Sequence, residues 1–299
     1  MTLLTGNSLQ NKVCVLKTCE KDIQQDIRNG INLIEGPKLR RDCSVIIKPN
    51  LCCIKSPETG ATTDVRVVEG IVNYLKNEFD ISDISIVESD ATQLLADMAF
   101  QLLGYEKLCK KLNVKLLNLS KIPFLAKKFP DNTFLKEIHV PQIFENADFF
   151  ISVPKIKTHM DCIFTCALKN QFGCNPIPRK SKYHKRLDET IVDLNMAFKP
   201  DLVVVDGIVA MEGCRGPTAG LPVKMNTLIF GKDPVAVDHL VAGVMGFDPR
   251  TISYLMEAEK RGIGSTNYST IGVNIKQVER KFTIGRPKLS NLYYLFQRS

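Results

Sequence analysis

The chain has 299 residues, of which 44% are hydrophobic and 24% charged, and its formal net charge is +8. This length and composition suit one large α/β domain or two smaller lobes, and they exclude a low-complexity chain. The ten cysteines are too sparse for a small disulfide-stapled domain, and no apolar run approaches the ~20 residues that span a bilayer. Because the start lacks a recognisable secretory signal, we expect a cytoplasmic protein with reduced thiols and no membrane partner.

Short apolar strands alternate with amphipathic helices along the chain. In the first half, strands are predicted in "CSVIIKPNL", "ISDISIVESD" and "VKLLNLS", and helices in "VRVVEGIVNYLKNEF" and "TQLLADMAFQLLGY". In the second half, strands in "ADFFISVPKIKT", "DLVVVDGIVA" and "MNTLIFGKD" alternate with helices in "CIFTCALKNQFG", "DETIVDLNMAF", "PVAVDHLVAGVMG" and "PRTISYLMEAEKRGIG". The pattern predicts an α/β fold with a mostly parallel sheet and helices on both faces. We interpret residues 1–299 as a single domain, with a small inserted lobe at about 107–145.

Polar clusters follow several of the predicted strands. Ligands of open α/β sheets bind at the carboxyl ends of the strands, so we expect these clusters to share one edge. They are Lys48-Pro49-Asn50, Glu88-Ser89-Asp90, Lys155 to His159, Asp206-Gly207 and Gly231-Lys232-Asp233.

The first of these clusters precedes the start of a helix. Lys48 and Asn50 end a strand, and Thr63 and Asp64 begin the helix that follows. Backbone amides at a helix N-terminus, with Lys48 nearby, would hold a phosphate or carboxylate. The alternative is an ordinary helix cap at Asp64 beside a surface lysine. No Walker or dinucleotide-binding glycine pattern is present.

Most of the net charge lies in one segment. Between Lys155 and Arg186 there are eight Lys or Arg residues and one acid, Asp161, a local charge of +7. Such a concentration of positive charge attracts anions. The alternative is a solvated basic loop.

Within this segment, Lys155 and Lys157 would share one strand face, with His159 beside them. Two ammonium groups would bind an anion and lower the pKa of the imidazole, which would keep it neutral as a general base. His159 and Lys157 are therefore the catalytic candidates, and His184 is a second acid/base candidate that also binds ligand. The alternative makes His159 a hydrogen-bonded loop residue.

The helix predicted in "CIFTCALKNQFG" would place Cys162 and Cys166 on one face, with Lys169 and Asn170 as anion ligands at its end. With Cys174 and Cys214, these thiols could hold an iron–sulfur cluster or another metal. No Cys-x2-Cys pair or ferredoxin-like run occurs, so the alternative is a set of packed thiols.

The stretch "VVVDGIVAMEGCRGPTAG" combines acids, an arginine and glycines after a buried strand. Its glycines would let backbone amides approach a ligand, and Arg215 would bind an anion. Asp206 and Glu212 would orient lysines or coordinate a divalent ion. The alternative is a long turn. Asp233, at the start of a later helix, is a further ligand-binding candidate.

Taken in order, these motifs resemble the domain of unknown function 362 family. The matching pieces are "IIKPNL", "TTD", "VPKIKTH", "ALKNQFG", "VVDGIVAMEG..GP..G" and "GKDPVAVDHLVAGVMGFDP", over about residues 43–265. The resemblance implies an α/β domain, and many members are associated with iron–sulfur ferredoxin modules. This sequence contains no such module, so a redox role implies a separate ferredoxin-type protein as partner.

Three functions remain open at this point. The first is an enzyme or cofactor-handling protein that binds a phosphorylated or carboxylated small molecule at the strand ends. The second is an iron–sulfur or other metal-associated redox protein. The third is a nucleic-acid-binding module, for which the basic loop offers only Phe172 and Tyr183 as stacking partners.

Overall fold

The computed structural model describes residues 11–92, 94–131, 133–213 and 218–285. The strands are β1 Asn11–Lys17, β2 Ser44–Pro49, β3 Asp83–Glu88, β4 Lys115–Asn118, β5 Phe124–Lys128, β6 Glu137–Pro141, β7 Phe149–Val153, β8 Lys155–His159, β9 Ile163–Thr165, β10 Leu202–Glu212, β11 Leu221–Gly231 and β12 Tyr268–Gly272. The α-helices are α1 Ile23–Leu33, α2 Val65–Phe79, α3 Ala96–Leu102, α4 Tyr105–Leu112, α5 Gln142–Asn146, α6 Ala167–Asn170, α7 Leu187–Ala197, α8 Pro234–Val244 and α9 Ser253–Lys260.

Ten of these strands form one mixed sheet, in the order β12-β1-β11-β10-β7-β2-β3-β4, with β8 beside β10 and β9 beside β8. The pairs from β10 through β7, β2 and β3 to β4 are parallel. Within the described chain, antiparallel pairing in this sheet is confined to β11 and β9 with their neighbours. The predicted mostly parallel sheet is confirmed.

Helices cover both faces of this sheet. Successive residues of β10 alternate between the two apolar clusters, because side chains of a strand point to opposite faces. Val205 packs in the cluster that contains Ile191 of α7 and Val241 of α8. Val204 packs in the cluster that contains Ile71 of α2. The α/β architecture is therefore the one that the alternating sequence pattern predicts.

Two predicted elements differ from the structure. The strand predicted in "ADFFISVPKIKT" is interrupted at Pro154, which has no N–H to donate, and continues as β8 beside a different part of β10. The helix predicted in "CIFTCALKNQFG" is wrong over its first half. Its β-branched and aromatic residues, Ile163 to Thr165, pair with β8 as β9, and the helix begins only at Ala167.

Two predicted positions are also corrected. Asp206 lies in the middle of β10 rather than at its end, since this strand runs on to Glu212. The cluster Gly231-Lys232-Asp233 lies at the opposite edge from the others because β11 runs antiparallel to β10. The range 107–145 contains a separate two-stranded sheet of β5 and β6, whereas α4 and β4 belong to the main fold.

Candidate functional site

A cavity of about 520 Å³ lies beyond the carboxyl ends of β2 and β3. Strands β8 and β9, helix α6 and the 3₁₀ segment Lys180–Arg186 complete its walls. Its charged and nucleophilic lining comprises Lys48, Cys52, Glu88, Lys157, His159, Lys169, Lys180 and His184. Four lysines thus face a single carboxylate among the described lining residues.

Lys48 and Glu88 form a buried ion pair at the base of the cavity. Lys48 Nζ donates to Glu88 Oε2 at 3.0 Å, to the carbonyl of Pro49 at 2.8 Å and to Asn170 Oδ1 at 3.3 Å. The two charged side chains are only 1% and 5% exposed. Since all three Lys48 N–H groups have acceptors, its role is to fix the base of the cavity.

Lys157 is held in a similar way. Its Nζ donates to Asn50 Oδ1 at 2.7 Å, to Cys52 Sγ at 3.2 Å and to the carbonyl of Ala61 at 2.9 Å. Asn50 Nδ2 in turn donates to Asn170 Oδ1 at 3.1 Å, which joins the Lys157 and Lys48 networks. The asparagines therefore position two lysines whose charge remains on the cavity wall.

Lys169 and Lys180 differ from these two lysines. Lys169 Nζ lies 3.4 Å from the ring centroid of Phe172, and it has no hydrogen-bond acceptor or ion-pair partner among the described residues. Lys180 Nζ donates to the hydroxyl of Ser89 at 2.5 Å and likewise forms no ion pair within the described chain. Burial, together with the charge of neighbouring lysines, lowers the pKa of each lysine to about 8. Both ammonium groups retain N–H donors for a ligand.

The two histidines of the cavity present different ring nitrogens. His159 Nδ1 accepts from the backbone N–H of Asp161 at 3.1 Å, so the neutral ring carries its proton on Nε2. Burial, and then the charge of Lys169, lower the pKa of His159 to about 4. His159 is thus suited to donate a hydrogen bond rather than to act as the general base first predicted.

His184 has the opposite arrangement. Its Nδ1 lies 3.1 Å from the carbonyl of Lys180, and a carbonyl can only accept, so Nδ1 carries the proton and Nε2 the lone pair. Burial and Lys169 lower the pKa of His184 as well. Of the two histidines, His184 is therefore the one with a proton-accepting nitrogen available.

Several predicted ligand residues lie outside this cavity. Lys155 and Asp64 line a second cavity of about 360 Å³, although Lys155 is only two residues from Lys157. Lys155 Nζ lies 3.1 Å from Asp206 Oδ2, which also accepts from the backbone N–H of Asp64 at 2.7 Å. Asp206 thus orients a lysine, as one of its two predicted roles requires, but at the other cavity.

The start of α2 is an ordinary cap. Asp64 accepts from the backbone N–H of Arg66, so its carboxylate occupies the position at which an anion was predicted to bind. Thr63 donates to the carbonyl of Val153 at 2.8 Å and accepts from the backbone N–H of Asn50 at 2.8 Å. Thr63 therefore braces the loop that carries Asn50 without lining the cavity.

Glu212 and Asp233 have separate structural partners. Glu212 Oε2 accepts from the backbone N–H of Thr283 at 3.0 Å and does not meet Asp206. Asp233 accepts from the amides of Val235 and Ala236 at the start of α8. Arg215 and Cys214 lie outside the described residues.

The three predicted cysteine ligands that the structure describes, Cys162, Cys166 and Cys174, do not form a metal-binding group. Cys162 Sγ contacts the carbonyl of Phe164 at 3.3 Å, and Cys174 Sγ contacts Gln171 Oε1 at 3.6 Å. Burial raises the pKa of Cys162 and Cys174 to about 12 and also raises that of Cys166. In the part of the chain that the structure describes, no three His, Cys, Asp or Glu side chains are grouped so as to hold a metal ion. These thiols therefore do not fit a cluster, and the helix that was to align Cys162 with Cys166 is absent.

Sequence reasoning missed Cys52, which lines the cavity beside Lys157. Its signal was its position, two residues after the strand-end Asn50. Lys180 had been counted only as part of the basic segment. Of that segment, Lys155, Lys157 and Lys180 are buried, whereas Arg179, Lys185 and Arg186 are exposed. Part of the positive charge of this segment therefore lies inside the protein rather than on its surface.

None of the described helices is both long and apolar enough to cross a membrane.

The chain belongs to the DUF362 family, whose model is described as a domain of unknown function and matches residues 45–243. A thylakoid-associated protein of Synechocystis sp. (strain ATCC 27184 / PCC 6803 / Kazusa) is 34% identical over 128 residues. This match covers 40% of the chain, and the chain spans about 40% of the length of that curated relative. Among solved structures, the lactate racemase apoprotein from Thermoanaerobacterium thermosaccharolyticum aligns with a TM-score of 0.42 at 11% identity, over 81% of this chain and 58% of the racemase.

Proposed function

We propose that this protein binds a phosphorylated or carboxylated small molecule in the cavity lined by Lys157, Lys169 and Lys180. The observation that carries the proposal is the pair of ammonium groups at Lys169 and Lys180. Both line the cavity, and neither forms an ion pair with a carboxylate of the described chain.

Ammonium groups that line a cavity without a carboxylate partner destabilise the anion-free protein. Burial disfavours an ammonium group that lacks a counter-ion, which is why the pKa of each of these lysines falls to about 8. An anion would accept hydrogen bonds from both groups, and such charge-assisted bonds are roughly twice as strong as neutral ones. The volume of about 520 Å³ suits a metabolite rather than a polymer.

The cavity also carries groups that can move protons. His184 Nε2 would accept a proton, and His159 Nε2–H would donate a hydrogen bond to the bound anion. Lysines with a pKa near 8 can exchange protons close to neutral pH. Acid–base chemistry on the bound molecule is therefore part of the proposal, with Lys157 as a fixed positive charge. A cytoplasmic compartment is also part of it, because reducing conditions there would keep Cys52 reduced.

Titration calorimetry with sulfate, phosphate, pyrophosphate and citrate tests the binding. We expect at least one of these anions to bind, and Lys180→Met to weaken its affinity by about 10-fold to 100-fold, as expected for loss of one charged hydrogen bond. The matched control is Lys110→Met, which removes an exposed lysine on α4.

Two results would overturn the proposal. One is no heat of binding with any of the four anions. The other is an equal loss of affinity in both variants, which would mean that the anions respond to net charge alone. Retention on mixed oligonucleotides without small-anion binding would instead favour the nucleic-acid alternative.

A further inference from the structure

Cys52 differs from the other buried thiols of this protein in its surroundings. It lies just after β2 on the wall of the anion cavity, and Lys157 Nζ donates to its Sγ at 3.2 Å. The neighbouring thiol of Cys53 also donates a hydrogen bond to this sulfur. Two donors, one of them charged, stabilise the sulfur as a thiolate.

The electrostatics agree with this geometry. The Cys53 hydrogen bond and the Lys157 charge hold the pKa of Cys52 well below its ordinary value, although burial and Glu88 oppose them. The buried thiols Cys14, Cys109, Cys162 and Cys174 show the reverse shift, because burial raises their pKa to about 11 or 12. Lysines near Cys162 and Cys174 oppose this rise only in part. Thiolate, rather than thiol, is the nucleophilic form of cysteine.

The same cavity offers hydrogen-bond donors for a substrate oxygen. Thr165 lines the cavity, is 6% exposed, and its hydroxyl has no hydrogen-bond partner among the described residues. His159 presents Nε2–H, and Lys169 presents an ammonium group without an acceptor in the described chain. Donors of this kind stabilise the negative charge that develops on oxygen when a nucleophile adds to a carbonyl.

We propose that Cys52 is a nucleophile that adds to the electrophilic carbonyl carbon of the bound anion. The sulfur lone pair forms the S–C bond, and the π electrons of the C=O bond move to oxygen. That oxygen takes a proton from the ammonium group of Lys169, which leaves a neutral amine and a thiohemiacetal on Cys52. The addition needs no oxidant or reductant and reverses by the same transfers. This inference rests on the proposed function, since the cavity cations select an anionic substrate.

Alkylation with iodoacetate and iodoacetamide tests the inference, with the modified peptides quantified by mass spectrometry. In each reaction sulfur attacks the CH₂ carbon and iodide leaves with its bonding pair. The exposed Cys19, whose Sγ lies 2.8 Å from the carboxylate of Asp22, is the internal reference. We expect Cys52 to react faster than Cys19 at pH 6, where a thiol with a pKa of about 8.5 is less than about 1% thiolate.

Comparing anionic iodoacetate with neutral iodoacetamide distinguishes the proposed anion site from the proposed Cys52 nucleophile. A cleft lined by positive charge can raise the local concentration of an anion by about 10-fold or more. The iodoacetate-to-iodoacetamide rate ratio should therefore be about 10-fold higher at Cys52 than at Cys19. Sulfate should protect Cys52, and Lys169→Gln should lower its iodoacetate rate more than its iodoacetamide rate.

Each contrary result has one meaning when sulfate binding is measured on the same sample. Sulfate binding with Cys52 no more reactive than Cys19 would overturn the nucleophile and leave the proposed function standing. Fast alkylation of Cys52 without preference for iodoacetate, together with no sulfate binding, would overturn the anion site and the carbonyl addition that rests on it.

Discussion

Gly173 lies against the buried ion pair at the base of the cavity. A Cβ atom at this position would come within 2.2 Å of Glu88 Oε1 and 2.4 Å of Lys48 Nζ. Contacts this short would displace the Lys48 and Glu88 side chains, so glycine leaves room for the pair to close. In the sequence this glycine suggests only a turn, whereas in the structure it leaves space for the Lys48–Glu88 ion pair.

Gly173→Ala should therefore destabilise the protein. We expect a loss of at least ~2 kcal/mol in the free energy of unfolding, because removing one partner of a buried ion pair typically costs about 3–5 kcal/mol and displacing both partners forfeits part of that stabilisation. Urea denaturation measures it. The matched control is Gly243→Ala in α8, where an added Cβ meets no heavy atom within 4 Å. That change should stabilise the helix by about 0.5–1 kcal/mol. Equal stability of the Gly173 variant and the parent would contradict this role.

The pKa values of Lys169 and Lys180 predict how sulfate binding depends on pH. Both lysines lose their protons as the pH rises through about 8, so sulfate affinity should fall between pH 7.5 and 9.5. His159, with a pKa near 4, stays neutral across this range and contributes no change. Sulfate keeps its charge throughout, so calorimetry at several pH values reports on the protein. An affinity that is constant or rises above pH 8 would count against these two lysines as ligands.

The same shifts affect the anion-free protein. Between about pH 8 and 10.5 the unfolded lysines still bind protons that the folded ones have lost. Because the unfolded state then binds more protons, the stability contribution of these groups rises with pH in that window. Saturating sulfate should reduce this rise, since a bound anion raises the lysine pKa values.

Among the elements, α6 has only four residues and depends on its neighbours for its position. Asp238 of α8 accepts from the amides of Ala167 and Leu168 at 2.7 and 3.0 Å. From a second helix, Asn195 of α7 donates to the carbonyl of Leu168 at 2.7 Å. Burial raises the pKa of Asp238 to about 7 despite these bonds. Two larger helices therefore fix the short helix that carries Lys169.

Asp238→Ala should weaken both folding and sulfate binding. Leaving two buried amides without an acceptor should cost about 1–3 kcal/mol of stability, and Lys169 would lose its fixed position. Asp233→Ala is the control, because Asp233 also accepts from two amides at a helix start, as well as from Ser265 N–H and Asn11 Nδ2, but at the other edge of the sheet. Denaturation should show at least as large a loss for Asp233→Ala, and calorimetry a loss of affinity for Asp238→Ala alone. Unchanged sulfate affinity in Asp238→Ala would show that α6 keeps Lys169 in position without the Asp238 hydrogen bonds.

For the molecule as a whole, the sequence predicts the sheet better than the site. Helices α2 and α8 begin where Asp64 and Asp233 predict, because the cap residues act locally. Strand ends alone locate Lys48 at the cavity, since parallel strands end at the same edge. The separation of Lys155 from Lys157 could not be predicted, because it follows from how β8 packs between two cavities.

Strand direction explains the remaining differences. Nothing in "MNTLIFGKD" signals that β11 runs antiparallel, and this direction takes Asp233 away from the cavity. Cys52 was missed for a related reason, since its role depends on the approach of Lys157 from another strand. Local patterns thus predict elements and caps, whereas the partners of a buried charge are decided by tertiary packing.

The charge distribution of the whole molecule leads to the central claim. The net charge of +8 is in part directed into a cavity in which Lys169 and Lys180 lack carboxylate partners within the described chain. An anion is the group that would complete this arrangement.

Anomalous diffraction from crystals soaked in selenate tests that claim most directly, because selenate mimics a dianionic group and selenium locates it. We expect a peak within hydrogen-bonding distance of the Nζ atoms of Lys169 and Lys180, and its loss in Lys180→Met. Peaks confined to exposed residues such as Arg179 and Lys185, with none in the cavity, would contradict the proposed anion site.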